Sequence, residues 1–161
     1  MVHSLNKGKN YERAIAKKLS KLFGISFQRV PMSGAFSTTK NTNSPIFKGD
    51  IFTEHEGFNN MFNVVIECKK LKKIGILDIV HYLNNEKGII IEWRNQCVRE
   101  SQPMNFWLIF SANNIGSFVI EGLNTTSFSG GYAFSTMKTL EQFLKEKEEL
   151  WNDHSNDIQT K

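Results

Sequence analysis

Apolar residues recur at helical spacing over residues 9–23, where Tyr11, Ile15, Leu19 and Leu22 share a face with Ala14 and Phe23 beside them. Gly24 follows as a C-terminal stop. Ile25 to Val30 alternates well enough for a first strand, and Pro31 closes it. Between Met32 and Lys48 the chain is Ser, Thr, Asn, Lys, Gly and Pro, with Phe36, Ile46 and Phe47 as its large apolar residues. So long a loop is either a functional arm or an inert linker or short irregular hairpin. Asp50-Ile51-Phe52-Thr53 predicts a short strand, Glu54 to Asn60 the turn of a hairpin, and Val64-Val65-Ile66-Glu67-Cys68-Lys69 a buried second strand.

Beyond it, Ile76 to Leu83 predicts one or two helical turns before the polar Asn84 to Gly88. A longer helix is expected over 88–101, with Ile89, Trp93, Cys97 and Gln96 along one side, and Pro103 stops it. Phe106-Trp107-Leu108-Ile109-Phe110 is a continuous apolar run, expected for a central strand covered on both faces. Ser117 to Ile120 predicts another strand, and Ser127 to Phe134 a loop or edge hairpin. Met137, Leu140, Phe143, Leu144, Lys147 and Trp151 mark a final amphipathic helix. The pattern thus describes one α/β domain over residues 1–151, a mixed central sheet flanked by helices, with a polar, frayed tail at 152–161.

Candidate chemistry concentrates where the buried strand turns polar. Strand side chains alternate, so Glu67 and Lys69 project from one face while Cys68 points to the other. If the two runs pair antiparallel, Asp50 comes beside Glu67. Two adjacent carboxylates repel unless a cation lies between them, and an oxygen-preferring ion such as Mg²⁺, with Mn²⁺ as substitute, is the natural occupant. The two cysteines and four scattered histidines lack zinc-ligand or disulfide spacing. There is no internal repeat and no Walker-type phosphate loop.

The pattern Gly49-Asp50 followed by Glu67-Cys68-Lys69 resembles the PD-(D/E)xK nucleases, with Gly49 in place of the usual proline. Gly8-Lys9-Asn10-Tyr11-Glu12-Arg13 and Arg29-Val30-Pro31-Met32-Ser33-Gly34 are similar to segments of archaeal-type Holliday junction resolvases. The resemblance covers roughly residues 7–70. It implies a restriction-endonuclease-like fold and a metal held by Asp50, Glu67, the Cys68 carbonyl and Glu12, with Lys69 as catalytic lysine. It also sets Arg29 and Ser33 beside the phosphate backbone, and a glutamine-bearing helix after the lysine makes Gln96 a candidate to orient water or phosphate. From the residues alone, Glu12 could equally be an exposed partner of nearby bases and Gln96 a surface side chain.

Charge distribution sharpens this picture. The chain of 161 residues carries a net charge of only +4, but Lys7, Lys9, Arg13, Lys17, Lys18, Lys21, Arg29, Lys40, Lys48, Lys69, Lys70, Lys72 and Lys73 crowd its first half. Charge alone leaves open a merely solvated, lysine-rich surface, but an anionic polymer is the expected partner; with the resemblance, Arg29, Ser33, Lys40, Lys48, Lys70 and Lys72 are the expected DNA contacts. The expected activity is Mg²⁺-dependent cleavage of four-way or other branched DNA by a homodimer, whose apolar contact is sought near Trp93 or Phe106 to Phe110. A flap, nicking or restriction-like duplex nuclease is the alternative enzyme. A non-catalytic DNA-binding protein with the same fold is the alternative of another class. No segment is apolar enough to span a membrane, and residues 1–12 are too polar for a secretory signal. A cytoplasmic protein, nucleoid-associated or phage-encoded, is expected.

Overall fold

The computed structural model describes residues 2–31, 48–125 and 131–159. In chain order its elements are α1 (Val2–Phe23), β1 (Gln28–Arg29), β2 (Ile51–Phe52), α2 (Glu56–Phe62), β3 (Val64–Leu71), α3 (Ile76–Leu83), α4 (Ile89–Ser101), β4 (Asn105–Ala112), β5 (Gly116–Asn124), β6 (Tyr132–Phe134), β7 (Lys138–Thr139) and α5 (Leu140–Gln159). The strands form one mixed sheet in the order β1-β2-β3-β4-β5-β6, with β7 also on β5. β3 and β4 run parallel, Val64 opposite Asn105 through Leu71 opposite Ala112; the other pairs are antiparallel. A parallel pair cannot be joined by a tight turn, and α3 with α4 supplies the crossover.

Period two in the strands divides the core between two layers. Ile66, Cys68, Trp107, Ile109 and Val119 pack against Ile15, Leu19 and Phe23 of α1, Phe58 and Phe62 of α2, and Leu140 and Phe143 of α5. Val65, Phe106, Leu108, Phe110 and Ile120 face Ile90 and Cys97 of α4 and Ile74 at the approach to α3. The first layer is aromatic. Phe58 meets Phe23, Phe27, Phe62 and Trp107 with ring centroids 5.1, 4.9, 4.7 and 5.8 Å away. Burying one such ring is worth roughly 1.5–3 kcal/mol, and each well-oriented aromatic pair adds about 0.5–1.5 kcal/mol.

Several sequence expectations change here. The expected hairpin turn at 54–60 contains α2 instead. Phe58 and Phe62 are four residues apart, so one helical face delivers both rings to the core. The His55 side chain accepts from the Phe58 N–H at the start, and Asn63 ends the helix with a left-handed φ of 42°. Polar residues on the outer face hid this two-turn amphipathic pattern. The first strand contracts to Gln28–Arg29, because Phe27 leaves the strand and donates its N–H to the Ser20 hydroxyl at 2.9 Å. The final helix starts at Leu140 rather than Met137, since Lys138–Thr139 pairs with β5, and it runs to Gln159. Neither expected dimer surface is free: Phe106 to Phe110 is fully interior, and Trp93 is half-buried with its ring 5.9 Å from that of Phe110.

Gly24 ends α1 at φ +67°, its N–H bonded to the Ser20 carbonyl at 3.1 Å. This left-handed geometry is the stop that the sequence foretold.

Candidate active site

The site forms where β2 separates from β3. With β3, β2 makes a single registered pair, Ile51 opposite Ile66, and just before it Gly49 also lies against Ile66. Gly49 has φ +81°, and a Cβ there would stand 2.6 Å from the Ile66 carbonyl oxygen and 2.9 Å from a Val65 methyl. The close approach therefore requires glycine, and it brings Asp50 to the edge of β3. Asp50 is then held on three sides: its N–H donates to the Ile66 carbonyl at 2.8 Å, its carbonyl accepts from the Val30 N–H at 2.9 Å, and its carboxylate accepts from the Cys68 N–H at 2.9 Å. The last bond satisfies an edge N–H that β2 has left behind. A strand residue directs its N–H and C=O to the same edge, so the Cys68 carbonyl lies on the edge of β3 that Asp50 borders.

Glu67 and Lys69 share the face of Val65, toward the α3 and α4 layer. Glu67 is 8% exposed, and Lys69 Nζ lies 3.6 Å from its carboxylate. The carboxyls of Asp50 and Glu67 are near enough for each to act on the other's charge. Burial first, and the charge of Asp50 second, push the Glu67 carboxyl up to about 8 against the opposing pull of Lys69. A proton on Glu67 relieves the repulsion between the two groups, and a bound divalent cation would relieve it as well. Two carboxylates and an edge carbonyl make an all-oxygen donor set, which suits a hard ion such as Mg²⁺. The Cys68 thiol, by contrast, is buried and pushed far above its ordinary value. As a neutral thiol it is a poor ligand, leaving the backbone oxygen as this residue's donor.

Glu12 lies near enough to Cys68 for its charge to act on the thiol, but its carboxylate is ion-paired with Arg29 across α1 and β1. Among the described residues no group of three or more His, Cys, Asp or Glu side chains is arranged to hold a metal, so Glu12 is not gathered into one cage with Asp50 and Glu67. The remaining basic candidates divide. Lys72 is exposed; Lys48 donates to the Gln102 carbonyl at 2.9 Å. Lys70, on the opposite face of β3 from Lys69, donates to the Ser111 hydroxyl at 2.9 Å with its ammonium 5.4 Å from the centre of the Tyr11 ring. Ser33 and Lys40 lie outside the described residues.

Gln96 is on α4, and its amide donates to both carboxylate oxygens of Glu100 at 3.0 and 3.2 Å. The charge of Glu100 reaches Glu67 as well. Sequence reasoning missed Glu100. Its signal was the four-residue spacing from Gln96 on a helix whose intervening Cys97 is buried toward the sheet.

Among the described residues no helix is long and apolar enough to cross a membrane. No curated protein and no solved structure matches the chain. The family model described as "Phage putative PDDEXK endonuclease" matches residues 3–151, a span that contains Asp50, Glu67 and Lys69 on their mixed sheet. The chain belongs to this phage PDDEXK endonuclease family.

Proposed function

We propose that the protein is a Mg²⁺-dependent, structure-specific DNA endonuclease that resolves four-way junctions as a homodimer. The observation that carries the metal-dependent reading is the buried Glu67 carboxyl with half-buried Asp50 and Lys69 beside it and the Cys68 carbonyl on the same strand. A pure binding protein gains nothing from two carboxyls on the surface that must approach phosphates. Support for a branched substrate comes from the presence of Glu12 and Arg29 beside the site, two residues to which the resolvase resemblance gives roles, although here they pair with each other.

Asp50, Glu67 and the Cys68 carbonyl would hold the ion, with Glu12 reaching it from α1 only on release from Arg29. Bound there, Mg²⁺ would polarise the scissile phosphate and acidify a water so that hydroxide is accessible near neutral pH. Lys69 hydrogen-bonds the attacking water or the phosphate oxygens as negative charge develops on them. Glu67 fixes the Lys69 ammonium through their 3.6 Å pair, so the lysine is oriented before substrate arrives. Arg29, Lys48 and Lys72, together with Ser33 and Lys40, engage the backbone of the bound strands. The phage family supports a phage-encoded enzyme acting in the cytoplasm of the host.

The test is a gel assay of the purified protein on four-way, flap and linear duplex DNA of matched sequence, in Mg²⁺, in Mn²⁺ and in chelator. Paired symmetric nicks in the four-way junction, dependent on the cation, are expected. Cleavage of flap or duplex with equal efficiency would replace the junction reading with a general nuclease. Binding without cleavage in either cation would reject catalysis.

A further inference from the structure

Helix α3 is apolar on nearly every side. Ile79 and Tyr82 pack inward on the α4 layer, while Ile76, Leu77, Val80 and Leu83 are 78, 65, 40 and 68% exposed. A helix that is apolar all round is ordinarily buried. Its acidic residue and its histidine are already engaged: Asp78 accepts the Gly75 N–H at 2.8 Å, and His81 lies 3.7 Å from Glu86. The outward surface is therefore uninterrupted by free charge. Its side chains expose roughly 500 Å² of apolar area, at the upper end of what an ordinary monomer leaves open and more than half of the ~800 Å² per partner of a standard interface.

We infer that α3 is the surface through which two copies of this chain associate, α3 packing antiparallel against its mate about a two-fold axis. A second copy fits better than an unlike partner for two reasons. First, the flanking charges favour one orientation. The exposed Lys72 and Lys73 precede the helix, and Asn84, Asn85, Glu86 and Lys87 follow it. Antiparallel pairing lays the basic approach of one copy over the charge-balanced exit of the other, with Glu86 within its reach, and it opposes the helix dipoles. Parallel pairing would set lysine against lysine. Second, an isologous contact counts the patch twice, burying roughly 1,000 Å² of apolar surface before its polar rim, which reaches the size of a specific interface.

The helix is also well placed to join two sites. β3, which carries Glu67 and Lys69, leads through Lys72 and Lys73 directly into α3, and α3 rests on α4, itself anchored by Ile90 and Cys97 in the core. This functional consequence rests on the paired cleavage proposed above; the interface itself does not.

The experiment is light scattering on the full chain at about 20 µM, a concentration at which a micromolar contact is well populated. Wild type is expected to have the mass of a dimer. Leu77→Gln with Leu83→Gln, both on exposed positions, is expected to give a monomer with an unchanged melting temperature and self-association weakened at least about tenfold. Lys73→Glu or Glu86→Lys alone should weaken the dimer, and the double reversal should restore it. On DNA, the glutamine variant should still nick single strands but lose paired cuts in a four-way junction. A monomeric wild type, or a glutamine variant as dimeric as wild type, overturns the inference. A wild-type dimer that the glutamine variant disrupts, with no cleavage in any cation, supports the interface while rejecting the nuclease reading.

Discussion

The two faces of β3 meet different neighbours and carry different work. Ile66 and Cys68 point into a layer in which α1, α2 and α5 close around Phe23, Phe58, Phe62, Trp107 and Phe143. Val65, Glu67 and Lys69 point toward α3 and α4, where packing is sparser, the Glu67 carboxyl is buried beside Asp50, and α3 leaves its outer surface uncovered. One face holds the strand rigid so that the other can carry costly groups. Burial of a carboxyl without its cation is destabilising, and the aromatic layer behind it offsets that cost. The strand can do both only because its side chains alternate.

The sharpest way to break this comparison is chemical. Asp50→Asn should lower Mg²⁺-dependent cleavage by at least about 10³-fold, about 4 kcal/mol of transition-state stabilisation, while DNA binding stays intact or tightens because a negative charge near phosphates is gone. The amide can still meet the Cys68 N–H through its oxygen, so folding is preserved. Turnover at the wild-type rate would remove Asp50 from the site.

The matching change on the other face is Phe58→Ala. Phe58 is 2% exposed and central to the aromatic cluster, so truncation should cost about 3–5 kcal/mol in urea unfolding. Val80→Ala on the outer side of α3 should cost far less, within about 0.5 kcal/mol for the monomer. Equal losses at the two positions would mean that the layers do not differ as described.

How far the sequence disclosed these layers follows from which signals are local. The period of β3, the continuous run of β4 and the Gly24 stop are local, and all three elements stand where the pattern put them. The Asp50 and Glu67 juxtaposition was legible for the same reason, since one antiparallel pairing sufficed to bring them together. α2 was not legible, because its polar outer face resembles a turn and its signal is only Phe58 and Phe62. Nor was the internal engagement of Lys70: nothing in Lys69-Lys70 distinguishes a lysine beside Glu67 from one turned onto Tyr11 and Ser111, which arrive from α1 and β4. Nor was the pairing of Glu12 with Arg29, which depends on a contact between distant segments. Tertiary neighbours decided each of these cases.

A smaller effect than either substitution links the cation to stability. The raised Glu67 carboxyl, about 8 against an ordinary 4.5, means that the native state keeps a proton which the unfolded chain has lost. The native state thus binds more protons between those values. Stability of the metal-free protein should therefore fall as pH rises through that window, by on the order of 3 kcal/mol or less. A cation replacing the proton should restore it. Calorimetry is expected to show a Mg²⁺-induced rise in melting temperature that is larger at pH 8 than at pH 5 and is lost in Glu67→Gln. An equal rise at both pH values, or one that survives in the glutamine variant, would contradict the exchange of proton for metal.

The smallest expected effect concerns two lysines two residues apart. Lys72 is exposed beyond the end of β3, whereas Lys70 is half-buried, bonded to Ser111 and seated over Tyr11, whose hydroxyl burial pushes up to about 12 and so keeps neutral. A lysine that neutralises a phosphate releases a counterion, so Lys72→Ala should reduce the slope of log affinity against log salt by about one unit and weaken all DNA sequences alike. Lys70→Ala should leave that slope unchanged. It should instead lower stability by about 1 kcal/mol, through the loss of one hydrogen bond and one cation–π contact. Binding measured over a salt series for both variants, with urea unfolding alongside, checks the pair. A reduced slope for Lys70→Ala would show that its ammonium leaves Tyr11 to meet DNA, and that the inner face of β3 also takes part in recognition.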